Sequence, residues 1–150
     1  MLELVKEKVG TKIIGSWKLI SWVYETEDGK EVDFYGNSPQ GMLMYQDSGY
    51  MSVQIFKENR TPFKSVGLNT GTLEEKANSF SSFSAYYGKY REAEPGVFKH
   101  DVEGALLPNW LGTTETRYAK IEDDILVLST PPMETDEGTK VFKVTWRKVA

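Results

Sequence analysis

Residues Gln40–Phe56 read QGMLMYQDSGYMSVQIF. Leu43 and Tyr45 fall on one face of the first run, and Met51, Val53 and Ile55 share a face of the second. Ser52 and Gln54 take the alternate face. A period of two is the signature of half-buried strands, and Asp47-Ser48-Gly49 between the runs is turn chemistry. The segment predicts an antiparallel hairpin.

Toward the N-terminus, Gly36-Asn37-Ser38-Pro39 marks another turn, Val32–Tyr35 a short strand and Asp28-Gly29 a hairpin turn. Before them, SWKLISWVYE keeps the same period. Trp17, Leu19, Ser21 and Val23 share one face; Lys18, Ile20, Trp22 and Tyr24 share the other. Lys18 marks its face as solvent-side, so Trp17 is expected inward. Trp22 and Tyr24 then need cover, from an N-terminal arm or from a second copy of the chain in a homodimer. Leu2, Leu4, Val5 and Val9 stand at near-helical spacing, which predicts a helical arm over residues 1–14.

Toward the C-terminus, residues 57–71 read as a long polar loop. Thr72 with Glu75 three residues on forms a capping box, and Leu73, Ala77 and Phe80 follow at helical spacing. A helix of about three turns is expected here, its stripe extended by Phe83 and packed as lid or core. Strand patterns resume in SAYYGKYREA, VFKHDVEG, TTETRYAKI, ILVLST and TKVFKVTWRKV, separated by Glu94-Pro95-Gly96, a longer interruption from Gly104 to Gly112, Glu122-Asp123-Asp124 and residues 131–138. Lys99 and Asp101 prefer water, so His100 between them is expected to point inward.

Eight to ten short strands joined by turns, with one inserted helix, define an all-β chain. No glycine-rich phosphate loop or alternating βα series is present. An antiparallel meander of this size must protect its edges. The first and last strands are both strongly patterned, which favours closure into an up-and-down barrel over a sandwich. With 150 residues, a single domain over 1–150 is expected.

Composition narrows the function. The net charge is −4 and the 18 basic residues are scattered, which argues against a nucleic-acid stripe or an anionic-membrane surface. Absence of cysteine excludes disulfides and thiolate chemistry, and a single histidine excludes a histidine-rich metal centre. No run of eighteen apolar residues suggests a membrane span, and the N-terminus lacks a signal-peptide core. A cytoplasmic protein without cofactor or metal is expected.

Gly15-Ser16-Trp17 at the start of the first strand resembles the Gly-x-Trp motif of lipocalins and related calycin barrels. Arg147 after Trp146 resembles the arginine that crosses the closed end of such barrels. The ordered series GSWKLISW, YGNSPQGMLMY, GYMSVQ, YYGKY, HDVEGALLPNWLGTTETR, LVLSTPP and TWRKV is similar to the bacterial and fungal lipocalin-like domain family, from about Gly15 onward. That resemblance implies an internal cavity suited to small, mostly apolar molecules.

Seven residues are candidates to line such a site. His100 is the one side chain whose ordinary pKa lies near neutrality. Arg117 is expected within a few residues of His100 on the paired strand, with Glu103 or Glu115 as its partner. Tyr45, Met51, Tyr86 and Tyr90 are interior by alternation, and Trp110 can fold over a barrel mouth. The leading expectation is binding of a small hydrophobic or amphipathic molecule, with His100 and Arg117 as polar anchors. A cofactor-independent enzyme of isomerase or cyclase type, with His100 as acid/base, is the alternative. A third is an assembly domain using Trp22 and Tyr24.

Overall fold

The structure is a computed structural model that describes residues 8–150. In chain order the strands are β1 (Gly15–Glu25), β2 (Glu31–Asp33), β3 (Gln40–Tyr45), β4 (Tyr50–Phe56), β5 (Phe83–Glu94), β6 (Val97–Ala105), β7 (Thr114–Glu122), β8 (Ile125–Ser129), β9 (Met133–Thr135) and β10 (Gly138–Lys148). One α-helix, α1 (Leu73–Ser81), lies between β4 and β5. Two 3-10 turns cover Gly10–Ile13 and Pro108–Trp110.

Neighbouring strands pair antiparallel in the order β1-β3-β4-β5-β6-β7-β8-β10, and β10 returns to pair with β1. These eight strands close the barrel. The short β2 and β9 extend the wall beside β1 and β10 at one end. The expected hairpin is present, with Leu43 opposite Val53 and Tyr45 opposite Met51. Among the described residues, no helix is long and apolar enough to cross a membrane.

One end of the barrel is shut. Ile13, Trp17, Tyr45, Phe98 and Leu126 are each at most 1% exposed there. Full burial of an aliphatic or phenyl side chain of this kind contributes ~1.5–3 kcal/mol relative to exposure. The Trp17 indole Nε1–H donates to the Ile13 carbonyl at 2.9 Å, tying the 3-10 turn to the floor. Gly15 is obligatory at this crossing: its φ is +142°, and a Cβ there would stand 2.5 Å from the Ala150 carbonyl oxygen. The Glu92 carboxylate accepts from the backbone N–H groups of Val9, Gly10 and Gly96, which pins the N-terminal approach to the β5–β6 turn.

Three sequence expectations are corrected. First, Arg147 does not cross the closed end. Alternation after the inward Trp146 places it on the outer wall opposite Lys18, with Asp124 3.7 Å away. Lys148 instead brings its ammonium over the Trp17 ring, 5.5 Å from the centroid. Second, Trp22 and Tyr24 are not on the outer face. The β1–β10 register slips between Leu19 and Ser21, where Ile20 has no partner. This bulge exchanges the two faces of the strand, so Trp22 packs inward against the core and Tyr24 packs against Phe34 and Phe142. The outward aromatic pair that suggested a homodimer or an assembly surface is therefore absent. Third, the α1 stripe is not packed. The capping box forms as expected, Thr72 Oγ1 accepting from the Glu75 N–H and Glu75 accepting from the Thr72 N–H. Yet the helix buries no residue, Leu73 is 87% exposed, and of the expected stripe Leu73, Ala77 and Phe80 only Phe80 reaches the cavity, beside Ser81 at the helix end.

Of the helical arm expected over residues 1–14, Leu2, Leu4 and Val5 lie outside the described residues. The remainder is the 3-10 turn Gly10–Ile13 rather than an α-helix.

Candidate functional site

Above the floor, the strands enclose a cavity of about 330 Å³. It lies at the low end of the ~300–1,000 Å³ range of small-molecule sites. Leu43, Met51, Val53, Ile55, Leu128 and Val144 supply aliphatic and thioether walls. Trp22, Phe34, Tyr35, Phe80, Phe83 and Phe142 ring the part toward the open end, with Leu106, Leu107 and Trp110 from the segment after β6. Polar groups in this wall are few: His100, Tyr35, Tyr86, Arg117, Thr130, Ser81, Ser84 and the indoles.

His100 stands at the boundary between floor and cavity. It is 1% exposed on β6, as the alternation with Lys99 and Asp101 predicts. Its Nε2 lies 2.7 Å from the hydroxyl of Tyr45, and its Nδ1 lies 2.7 Å from the hydroxyl of Tyr86. Burial, and secondarily the Arg117 guanidinium, pushes the His100 pKa from 6.5 down to about 3, against a smaller upward pull from Asp101. The imidazole is therefore neutral at physiological pH, with one N–H donor and one acceptor nitrogen.

That neutrality assigns the direction of the network. Among the described residues, Tyr45 has no hydrogen-bond partner besides Nε2, so its buried O–H must donate there to be satisfied. Nδ1 then carries the proton and donates to the Tyr86 oxygen. The Tyr86 O–H is left over, and Tyr86 lines the cavity. Burial raises the pKa values of both phenols, so both stay protonated. The chain Tyr45 to His100 to Tyr86 thus delivers one hydrogen-bond donor into an apolar chamber.

Arg117 stands opposite Phe98 and Glu115 opposite His100 in the β6–β7 ladder. This brings Arg117 to the same wall, where it favours the ionised form of Tyr86 against the larger effect of burial. Its Nη1 donates to the Thr116 carbonyl at 2.8 Å. Glu115 is its nearest carboxylate at 4.0 Å, while the other carboxyl oxygen of Glu115 accepts from Thr113 Oγ1 at 2.8 Å. Glu103, the other sequence candidate, is exposed.

Of the seven residues singled out from sequence, His100, Arg117, Tyr86, Met51 and Trp110 line the cavity. Trp110 packs edge-on against Tyr86, ring centroids 5.7 Å apart. Tyr45 and Tyr90 do not line it. Tyr45 is behind His100, and Tyr90 packs edge-on against Tyr45 with its hydroxyl donating to the Gln46 carbonyl at 2.6 Å. Sequence reasoning missed Trp22, Phe34, Phe142 and Trp146. For Trp22 the signal was its odd spacing from Trp17: in one unbroken strand two such large apolar residues cannot both face inward. No cluster of three or more His, Asp or Glu side chains able to hold a metal occurs among the described residues.

A closed eight-stranded antiparallel barrel, shut at one end and holding a mostly apolar chamber with a few convergent polar groups, defines the lipocalin-like class. The chain belongs to the lipocalin-like domain family, whose family model matches residues 14–149. It is 31% identical over 107 residues to the 4'-hydroxy-3'-methoxypropiophenone carrier protein ppsC of Aspergillus oryzae, an alignment covering 66% of this chain and 96% of that protein. Among solved structures, it is similar to a lipocalin-like protein from Bacteroides uniformis, at 15% identity and a TM-score of 0.47, covering 91% of this chain and 98% of that one. An uncharacterized protein from Bacteroides eggerthii matches at 14% identity and a TM-score of 0.44, covering 91% and 99%.

Proposed function

We propose that this protein binds a small, largely apolar molecule carrying a hydrogen-bonding oxygen, of the aromatic ketone kind, and holds it inside the barrel. The observation that carries this reading is the donor at Tyr86 in a chamber walled by aliphatic and aromatic side chains. A donor with no protein acceptor in such surroundings suits a carbonyl or ether oxygen on an otherwise apolar ligand. The relative from Aspergillus oryzae, named as the carrier of a propiophenone, supports the same class of ligand.

The enzyme alternative is less well supported by the geometry. Both ring nitrogens of His100 are taken by tyrosine hydroxyls, and protonation of the ring requires acid near its depressed pKa of about 3. A general base works best with a pKa near the operating pH.

Isothermal titration with 4'-hydroxy-3'-methoxypropiophenone tests the reading. Saturable binding at one site per chain is expected, weakened about tenfold in Tyr86→Phe, the size of effect that loss of one ligand hydrogen bond brings. Absence of saturable binding, or equal affinity in a folded Tyr86→Phe protein, would refute it.

A further inference from the structure

The chamber wall carries a charge that recognition of a neutral oxygen does not use. Among the described lining residues Arg117 is the sole ionised side chain: no Asp, Glu or Lys lines the cavity, and His100 is held neutral. The formal charge of this otherwise apolar wall is therefore positive.

Register turns Arg117 inward, because it stands directly opposite Phe98, which is 1% exposed in the core. Its side chain keeps 19% of its surface accessible. Nη1 donates to the Thr116 carbonyl at 2.8 Å, and the guanidinium makes no other hydrogen bond among the described residues. Nε and Nη2 are thus left without a protein acceptor. They are not sealed away either: among the described residues, the buried side-chain nitrogens and oxygens that lack a partner belong to Trp22 and Trp146 alone. A guanidinium offers five N–H donors in a planar fork that matches a carboxylate.

Glu115 does not fill that fork. It approaches only to 4.0 Å, it does not line the cavity, and its other oxygen accepts from Thr113 Oγ1 at 2.8 Å. A guanidinium withdrawn from water is costly unless it is both paired and hydrogen-bonded, so a purely structural ion pair would close to hydrogen-bond distance. Arg117 also acts as a positive charge on Tyr45, Tyr86 and His100, which sets it at the same pole as the Tyr86 hydroxyl.

We infer that Arg117 is an anion anchor and that the preferred ligand carries a carboxylate at one end of its apolar body. One carboxylate oxygen takes the Tyr86 O–H, as a ketone oxygen does, and the other meets the open edge of the Arg117 guanidinium. This rests on the binding reading above and adds a charge to the oxygen group it requires. A neutral ketone engages Tyr86 alone and leaves the guanidinium unmatched, whereas an acid engages both.

Two probes isolate the charge. 3-Phenylpropionate is ionised at neutral pH; 4-phenylbutan-2-one keeps its phenylethyl body and carbonyl but has a methyl group in place of the charged oxygen. Titration calorimetry in low-salt buffer is expected to show the acid binding about tenfold more tightly than the ketone. Arg117→Met keeps a long apolar stem without the charge. In it the advantage should fall to about twofold or less, with the ketone's affinity held within about twofold. Arg117→Lys keeps a charge without the fork and should retain an advantage of about threefold. In the unaltered protein, the Arg117 Nε–H signal in 1H–15N spectra should move with the acid and stay in place with the ketone. If both probes bind equally, if the ketone binds more tightly, or if the advantage survives in folded Arg117→Met, the anion anchor is refuted while the binding reading stands. If Arg117→Met does not fold, an Arg117 Nε–H signal that ignores the acid refutes the anchor in its place. If neither probe binds, the anchor is refuted, and the propiophenone titration decides the binding reading on its own.

Discussion

The buried His100 makes the stability of the barrel sensitive to mild acid. In an unfolded chain histidine protonates near pH 6.5, whereas in the fold its pKa is depressed to about 3 by burial and by Arg117. Below pH 6.5 the unfolded state therefore binds a proton that the native state refuses. Stability due to this residue is full above pH 6.5 and is lost as pH falls toward the folded pKa. Each pH unit in that window removes about 1.4 kcal/mol, so about 2 kcal/mol is gone by pH 5 and about 5 kcal/mol by pH 3. Asp101 and Glu92, whose pKa values are lowered in the fold, also destabilise the native state in acid, and a variant is needed to separate the effects. His100→Gln suits this purpose, because an amide donates and accepts but does not titrate. Urea unfolding of both proteins at pH 7.5 and pH 5 yields a double difference in which the carboxylates cancel. Wild type should lose about 2 kcal/mol more than His100→Gln over that interval. A double difference below about 0.5 kcal/mol would mean that the imidazole is not held neutral, and the hydrogen-bond directions assigned to Tyr45 and Tyr86 would go with it.

Two further outcomes follow from the local geometry. Thr72→Ala removes the N-cap of a helix that buries no residue, so the loss of about 1 kcal/mol should stay local. Hydrogen exchange of α1 amides is expected to speed up about fivefold with the urea midpoint unchanged, and a lowered midpoint without faster helix exchange would contradict this. Gly88→Ala would place a Cβ 1.9 Å from the Asp101 carbonyl oxygen across the β5–β6 ladder. A destabilisation of about 3 kcal/mol in urea titrations is expected, and a loss below about 1 kcal/mol would mean the two strands separate more easily there than the ladder suggests.

The elements built from local chemistry were legible in the sequence. The β3–β4 hairpin follows from a period of two around Asp47-Ser48-Gly49, and α1 begins at its capping box. The inward direction of His100 follows from the charged neighbours on either side. What alternation could not reveal was an interruption of alternation itself. The Ile20 bulge depends on how β1 meets β10, more than a hundred residues away, and strict counting placed Trp22 and Tyr24 outside. The Trp22 part of the cavity wall was lost to that one slip. The same long-range pairing decides that Arg147 faces Asp124 outside while Lys148 covers Trp17. Tyr45 and Tyr90 were rightly interior or nearly so, but depth along the barrel axis cannot be read from face alone. The exposure of Leu73 escaped notice because a helical stripe reports amphipathicity and not whether a partner surface lies beneath it.

The bulge in β1 gives one strand two reading frames. Before Ile20 its inward side chains, Trp17 and Leu19, belong to the plug; after it, Trp22 belongs to the chamber. A single unpaired residue thus uncouples the part of the strand that must stay constant for the barrel to close from the part that meets a ligand. Substitution at Trp22 can retune the chamber without disturbing the packing of Trp17. Gain or loss of one residue at this point, by contrast, would swap every chamber-facing side chain of the strand for its outward neighbour. For this wall, indels are the coarse adjustment of specificity and substitutions the fine one.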